Sequence, residues 1–345
     1  MIVSTELDHS IKVPAAEFRG RIQRLAGRTV ERISRPGGTQ RDVLRVHFAQ
    51  GPSWILVRRT KQHRATNEKA VLTALEGLHG HSVPRRIGKI ADWSIITDLG
   101  DMRLSLRLQA MPKAERWPIV EGVISGIFQL QDAANSFDAV RALPQIDLKP
   151  DNLLHIAKGP ERTCKRYDIK GYCPRPEVLL PWIGADAPRF IKGDCRAANI
   201  VFDNDGTMGW IDFEHAGLRH GSEDLAFLLC DETLSIDIED HLNSLDRLVR
   251  EARPEAPEEY LKRMCIYATL HAGMRLRVIG IELTKSGWLD YTDIMRNDLI
   301  GAHPDLAMNL ARRAAILADQ YPETRPLVEI YSSISDKIKE AENTP

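Results

Sequence analysis

The stretch from Phe190 to Glu214 constrains the fold of this chain more than any other. Ile200-Val201-Phe202 and the run Met208 to Ile211 bracket Asp203-Asn204-Asp205-Gly206. Two apolar runs joined by acidic and amide residues ending in glycine predict a β-hairpin. Phe190-Ile191 predicts a short strand before it, and residues 192–199 a loop. Three polar residues stand at the ends of these strands: Asp194, Asn199 and Asp212. Asp194 precedes Asn199 by five positions, and Asp212 follows Asn199 by thirteen. Turn chemistry accounts for Asp203 to Gly206 but not for those three. A hairpin sends its second strand back the way it came, so Asp212 is expected beside the loop that carries the other two.

Phosphoryl transfer needs such a set. One carboxylate orients the attacking hydroxyl and accepts its proton, while an amide and a second carboxylate hold Mg2+ on the phosphates. The stretch resembles the aminoglycoside phosphotransferase and choline kinase family, which shares the protein-kinase fold. The family pattern is H-G-D-x4-N, a hairpin ending in I-D-[FW]-[ED], then D-L-A. Here it stands as Lys192-Gly193-Asp194 to Asn199, Ile211-Asp212-Phe213-Glu214, and Asp224-Leu225-Ala226, with Lys192 in place of the usual His. By motif the resemblance covers residues 25–230. It implies an α+β, protein-kinase-like fold of two lobes. Residues 1–100 would form a small antiparallel sheet lobe that binds nucleotide. Residues 101–345 would form a larger, mainly helical lobe for catalysis and substrate. The resemblance also implies Asp194 as base, Asn199 and Asp212 as metal ligands, and ATP and Mg2+ as cofactors. The acceptor would be a hydroxyl of a small molecule such as an aminoglycoside, amino sugar or amino alcohol. Asp224 would brace the loop from below, and Glu214 would be a neighbouring partner or metal contact.

In the first lobe, Ala15 to Ala26 reads as a helix with Phe18, Ile22 and Leu25 on one face. Strands are expected at 29–33, 43–48 and 54–58. The first turn, Ser34 to Gln40, holds Gly37 and Gly38. Paired glycines let backbone N–H groups approach a phosphate, and the kinase-like template places its phosphate-covering loop there. The same template places a cation at the end of the third strand, paired with a Glu on the next helix. Arg58 is the candidate, Arg59 its one-residue alternative because a slip flips the facing, and Glu68 the partner on a helix over 66–78. A second hairpin, 85–90 and 93–99, ends in Thr97, Asp98 and Leu99. In the resembling family the backbone of this segment bonds adenine, and Gly100 lets the chain cross onward.

The second lobe opens with a long helix at 117–134. Asp147-Leu148-Lys149-Pro150-Asp151-Asn152 then imitates a protein-kinase catalytic loop. Thirteen residues past Asn152 stands Lys165, with no hairpin between, so Asp194 is preferred to Asp147 as base. Residues 135–189 read instead as an insert made irregular by Pro174, Pro176, Pro181 and Pro188. Helices are expected at 240–252, 258–278, 290–299 and 305–321. Acidic residues gather at Asp231, Glu232, Asp237, Glu239 and Asp240, either to hold a cationic substrate or as solvated helix starts. His271 and Arg275, one helical turn apart, face either the cleft or the core.

Net charge is −1, yet residues 1–100 carry 17 Lys and Arg against 9 Asp and Glu, and the remainder 30 against 39. A basic first part suits a polyphosphate and an acidic second part a cation. The arginines from Arg19 to Arg35 lack interleaved aromatics and fit a polar helix face, so a nucleic acid partner is not expected. No apolar run is long enough for a membrane span. Met1 to Ser10 carries Glu6 and Asp8, which argues against a signal peptide. Five cysteines without zinc spacing suit reduced thiols in the cytoplasm. Oligomeric state leaves no mark on the sequence. Two other readings stay open: an atypical protein kinase, and a nucleotide-binding module with little catalysis.

Overall fold

Alternation along Val43 to Phe48 sets the first part of the structure. Leu44, Val46 and Phe48 are buried while Val43, Arg45 and His47 are only partly covered, the two-residue period of a strand with one face against a core. The computed structural model describes residues 15–36, 38, 41–78 and 83–342. They form two units, one of residues up to 101 together with Val201–Glu214, the other of Met102–Ile200 with the chain from His215 onward.

The first unit holds helix α1 (Ala15–Ala26), strands β1 (Val30–Ser34), β2 (Val43–Phe48) and β3 (Trp54–Val57), helix α2 (Gln62–Ala74), and strands β4 (Arg86–Ile90) and β5 (Trp93–Thr97). The strands make one antiparallel sheet in the order β1-β2-β3-β5-β4. Phe18 and Ile22 of α1 pack with Leu44, Val46, Leu56, Trp93 and Ile95. Each such side chain contributes about 1.5–3 kcal/mol. The residues of opposite parity, Arg45, Ile55 and Ile96, lie in register across three strands and face away from α1.

Helix α2 begins four residues earlier than the expected 66. No side chain caps its first turn. Tertiary bonds pin it instead, from Arg64 and Asn67 to Glu214. The expected hairpin is present as Ile200–Phe202 and Met208–Trp210. Asp203 closes its turn, its carboxylate accepting the N–H groups of Asp205 and Thr207. Gly100 runs against this hairpin at φ +127°, where a Cβ would stand 2.3 Å from the Phe202 carbonyl oxygen. Glycine is required there on both counts.

The second unit starts with α3 (Leu104–Gln109) and α4 (Lys113–Asn135). The buried side of α4 includes Val120, Val123, Ile124, Ile127 and Phe128, a helical stripe. The insert is more regular than its prolines suggest. It contains α5 (Asp138–Arg141), α6 (Pro150–Ala157), α7 (Gly159–Tyr167) and α8 (Pro176–Ile183). Pro150, Pro160 and Pro176 stand in the first turns of their helices, where a missing N–H costs nothing and a fixed φ suits the helix. The loop-like motif at Asp147 is the exposed entry to α6. Asn152 donates to the Asp147 carboxylate at 3.2 Å, and α6 and α7 follow rather than a hairpin.

Strand Gly217–Arg219 pairs antiparallel with Arg189–Ile191. Then come α9 (Ser222–Leu229), α10 (Leu242–Ala252), α11 (Pro257–Ser286), α12 (Tyr291–Asn297), α13 (Pro304–Asp319) and α14 (Leu327–Glu342). Helix α14 escaped the sequence reading. Its signal is Leu327, Ile330, Tyr331, Ile334 and Ile338, all buried at helical spacing. Among the described residues no helix is long and apolar enough to cross a membrane.

Candidate active site

The loop at 192–199 is held from several sides within the second unit. Gly193 has φ +63°, and a Cβ there would lie 2.3 Å from the His215 carbonyl oxygen. Asp194 follows at φ +51°, a left-handed conformation that Asp adopts more readily than most residues. Fully buried Asp224, in the first turn of α9, accepts the N–H groups of Lys192 and Gly193, each at 2.8 Å. Gln131 donates to it at 3.0 Å. Burial pushes the Asp224 carboxyl up, against these three donors. Asp231 accepts the Ala197 N–H at 2.6 Å. Lys192, standing where the family pattern has His, is buried and donates its ammonium to the carbonyl oxygens of Gly193 and Asp194.

The same loop brings two of the expected site residues together. Asn199 donates its amide nitrogen to the Asp194 carbonyl at 3.0 Å and to Asp194 Oδ2 at 2.9 Å. Arg196 Nε donates to Asp194 Oδ1 at 2.8 Å. Burial alone would raise the Asp194 carboxyl. The charges of Arg196 and Lys192 outweigh it and hold the group well below the usual carboxylate range, which favours the ionised form.

The first unit holds a second cluster, and here the partner of Glu68 is Arg59, the one-residue alternative, in place of Arg58. Glu68 does not pair with Arg58. Arg59 Nη2 and Nε reach the two Glu68 oxygens at 2.7 and 2.9 Å. Arg59 Nη2 also lies 2.7 Å from Asp212 Oδ1, and its Nε 3.3 Å from Glu214. Arg58 instead pairs with Asp42 at 2.7 Å and lies over the Trp93 ring. Strand parity is the reason. Positions 54, 56 and 58 share the α1 face, and 55, 57 and 59 share the other. Asp212 has φ +64°, left-handed like Asp194 in its own loop. Glu214 binds Arg64 at 2.7 Å and gives its carbonyl to Asn67.

The remaining expected residues divide. Gly37 lies outside the described residues. Gly38 has φ +83° and closes a turn onto the Arg35 carbonyl. The Thr97 N–H donates to the Arg85 carbonyl at 2.9 Å, which removes that donor from the set expected to meet adenine. Asp98 is tied down by its side chain: Arg45 Nε lies 2.7 Å from it and Ser53 donates at 2.6 Å. Arg45, His47, Asp98, Leu99, Gly100 and Asp203 line a cavity of about 300 Å³ in this unit.

Two of the five clustered acids are buried and held internally, while Asp237 and Glu239 pair with Arg312 at the surface. Asp231 supports the loop, and buried Glu232 pairs with Arg275. His271 packs edge-on against Phe227 at 4.5 Å. Sequence reasoning missed Arg45, Arg196 and Asp298. Arg196 stands inside the motif, two positions after Asp194, and Arg45 is one polar position of an alternating strand, signals too common to single them out.

No group of three or more His, Cys, Asp or Glu side chains among the described residues is arranged to hold a metal ion. Asn199 and Asp212 each carry an oxygen of the kind Mg2+ takes, an ion that needs only one or two protein oxygens and completes its shell with phosphate and water. The Asn199 amide nitrogen is committed to Asp194, and its oxygen is the atom of the type a cation would take.

Residues 30–263 match the model of the phosphotransferase enzyme family. No curated protein matches the chain at a significant level. Among solved structures it is similar to the GDP complex of wild-type aminoglycoside 2'-phosphotransferase-IIIa, with 15% identity, TM-score 0.53, and coverage of 86% of this chain and 98% of that one. It is also similar to an amicoumacin kinase in complex with AMP-PNP and Ca2+, with 14% identity, TM-score 0.52, and coverage of 82% and 86%.

Proposed function

The chain belongs to the phosphotransferase enzyme family, and from that premise we infer that it moves the γ-phosphoryl group of ATP to a hydroxyl of a small molecule. The observation that carries the reading is Asp194, its two carboxylate oxygens held by Arg196 and Asn199 within a braced loop. Asp194 accepts the proton of the attacking hydroxyl. That oxygen bonds to the γ-phosphorus as the bond from phosphorus to the β,γ-bridging oxygen breaks, and ADP leaves. Asn199 and Asp212 are the proposed Mg2+ ligands. When bound, the ion would neutralise charge developing on the phosphates. Arg59, fixed by Glu68, is the proposed phosphate cation in place of Arg58. The first unit is the proposed nucleotide-binding part, with Gly38, Asp98 and Leu99 at its loop and hinge. The second is the proposed catalytic and acceptor-binding part. Positioning and charge neutralisation supply the catalysis, with little covalent work for the protein.

The acceptor is proposed to be a small polar alcohol, an amino sugar, aminoglycoside or amino alcohol. Support comes from the family and from solved neighbours that include a GDP and kanamycin complex. A screen of ATP consumption with Mg2+ across these classes tests it. Asp194→Asn should lower turnover by roughly 10²–10⁴-fold while ATP affinity stays within a few-fold. Unchanged turnover in that variant would refute the assignment.

A further inference from the structure

A line of ion pairs ties Asp194 to a part of the chain that lies beyond the family match, which ends at residue 263. Arg196 is its centre. Arg196 Nε meets Asp194 Oδ1 at 2.8 Å, and its Nη1 meets Asp298 Oδ1 at 3.4 Å. Asp298 follows α12 with φ +49° and is 8% exposed. The segment that carries it is anchored in turn. Buried Glu232 accepts the Gly301 N–H at 3.2 Å and pairs with Arg275 of α11.

An aspartate carboxylate rotates about a soft terminal torsion, and one hydrogen bond leaves that rotation open. Asp194 has a donor on each oxygen, Arg196 on Oδ1 and Asn199 on Oδ2. Two donors on opposite oxygens define the plane of the group. A guanidinium is itself a long-stemmed cation, and it holds a neighbour in place only if its own far end is held. Asp298 supplies that second hold.

We propose that Arg196 is a positioning residue for phosphoryl transfer, which fixes the carboxylate plane of Asp194, and that Asp298 from the C-terminal helices anchors it. This rests on Asp194 being the base.

The test measures kcat and KM for Mg·ATP hydrolysis, with water as acceptor, on the full chain and its variants. Arg196→Met should lower kcat roughly 100-fold and leave KM for ATP within about twofold, since ground-state binding does not use the clamp. Arg196→Lys should recover only part of the loss, because an ammonium cannot span both carboxylates as the fork does. Asp298→Asn should lower kcat about tenfold, and the double variant should be no worse than Arg196→Met alone, as coupled residues behave. If Arg196→Met fails to fold in a thermal melt, Arg196→Lys and Asp298→Asn carry the same comparison. Losses that multiply, losses confined to KM, or kcat near wild type would overturn the clamp. Asp194→Asn separates the two levels. If it abolishes hydrolysis while the Arg196 variants do not, the clamp alone is wrong. If it leaves hydrolysis unchanged, the base and the clamp fall together.

Discussion

Arg58 and Arg59 are chemically identical neighbours with different surroundings. Arg59 sits among Glu68, Asp212 and Glu214, largely buried, whereas Arg58 pairs with Asp42, both side chains about a quarter exposed. Hydrogen bonds to charged groups contribute about 1.5–3 kcal/mol, so Arg59→Ala should raise KM for ATP by roughly tenfold or more. A partly exposed pair is worth about 0–1 kcal/mol, and Arg58→Ala should shift KM by less than about twofold. Steady-state kinetics on the two variants would reverse the assignment if Arg58 proved the sensitive one. The period-two pattern of Trp54 and Leu56 contained this answer. Sequence alone leaves Arg58 and Arg59 as register alternatives because both follow the last residue of β3, where a slip flips the facing.

The elements were legible where their patterns were strong and unbroken. The sheet, α1, α4 and the Asp203–Gly206 hairpin follow from alternation, periodicity and turn chemistry alone. The insert holds four short helices although its prolines read as breakers: Pro176 suits a first turn, and Pro181 is accommodated inside α8. Helix α14 was missed although its apolar spacing is regular. Tyr331 in α14 donates its hydroxyl to the Thr269 carbonyl of α11 at 2.6 Å and is 1% exposed. Tyr331→Phe should cost about 1 kcal/mol, and Tyr331→Ala about 3–5 kcal/mol, read from urea unfolding. Equal stability of wild type and Tyr331→Ala would show that α14 contributes little to this core.

Across the whole molecule, charge is spent on internal bracing as well as on any ligand. Glu223 with Arg219, Glu232 with Arg275, and Asp231 with the loop backbone are all buried, so the acidic balance of the later residues overstates what a cation would meet. Titration follows from the same burial. Burial and the Arg275 charge push the His271 imidazole down from 6.5 to about 3. Between those values the unfolded chain binds the proton and the folded chain does not, so stability falls as pH drops below 6.5. Burial would raise Glu232, but Arg275 holds it at about 2 against an ordinary 4.5. Its contribution is present above pH 4.5 and is lost as pH falls toward 2. His271→Gln should therefore flatten stability between pH 6.5 and 4.5 and leave the steeper loss below. Urea melts across that range that slope equally in both proteins would show that His271 titrates normally.

From residue order alone came the sheet, the long helices, the hairpin and the loop carrying Asp194 and Asn199, because each is encoded by neighbours a few positions apart. Tertiary structure decided which arginine meets Glu68, how a lysine serves where histidine is usual, and that Asp298, more than a hundred positions away, reaches Arg196. Those outcomes depend on distances between segments remote in the chain. Side-chain spacing along one strand or helix carries no record of such distances.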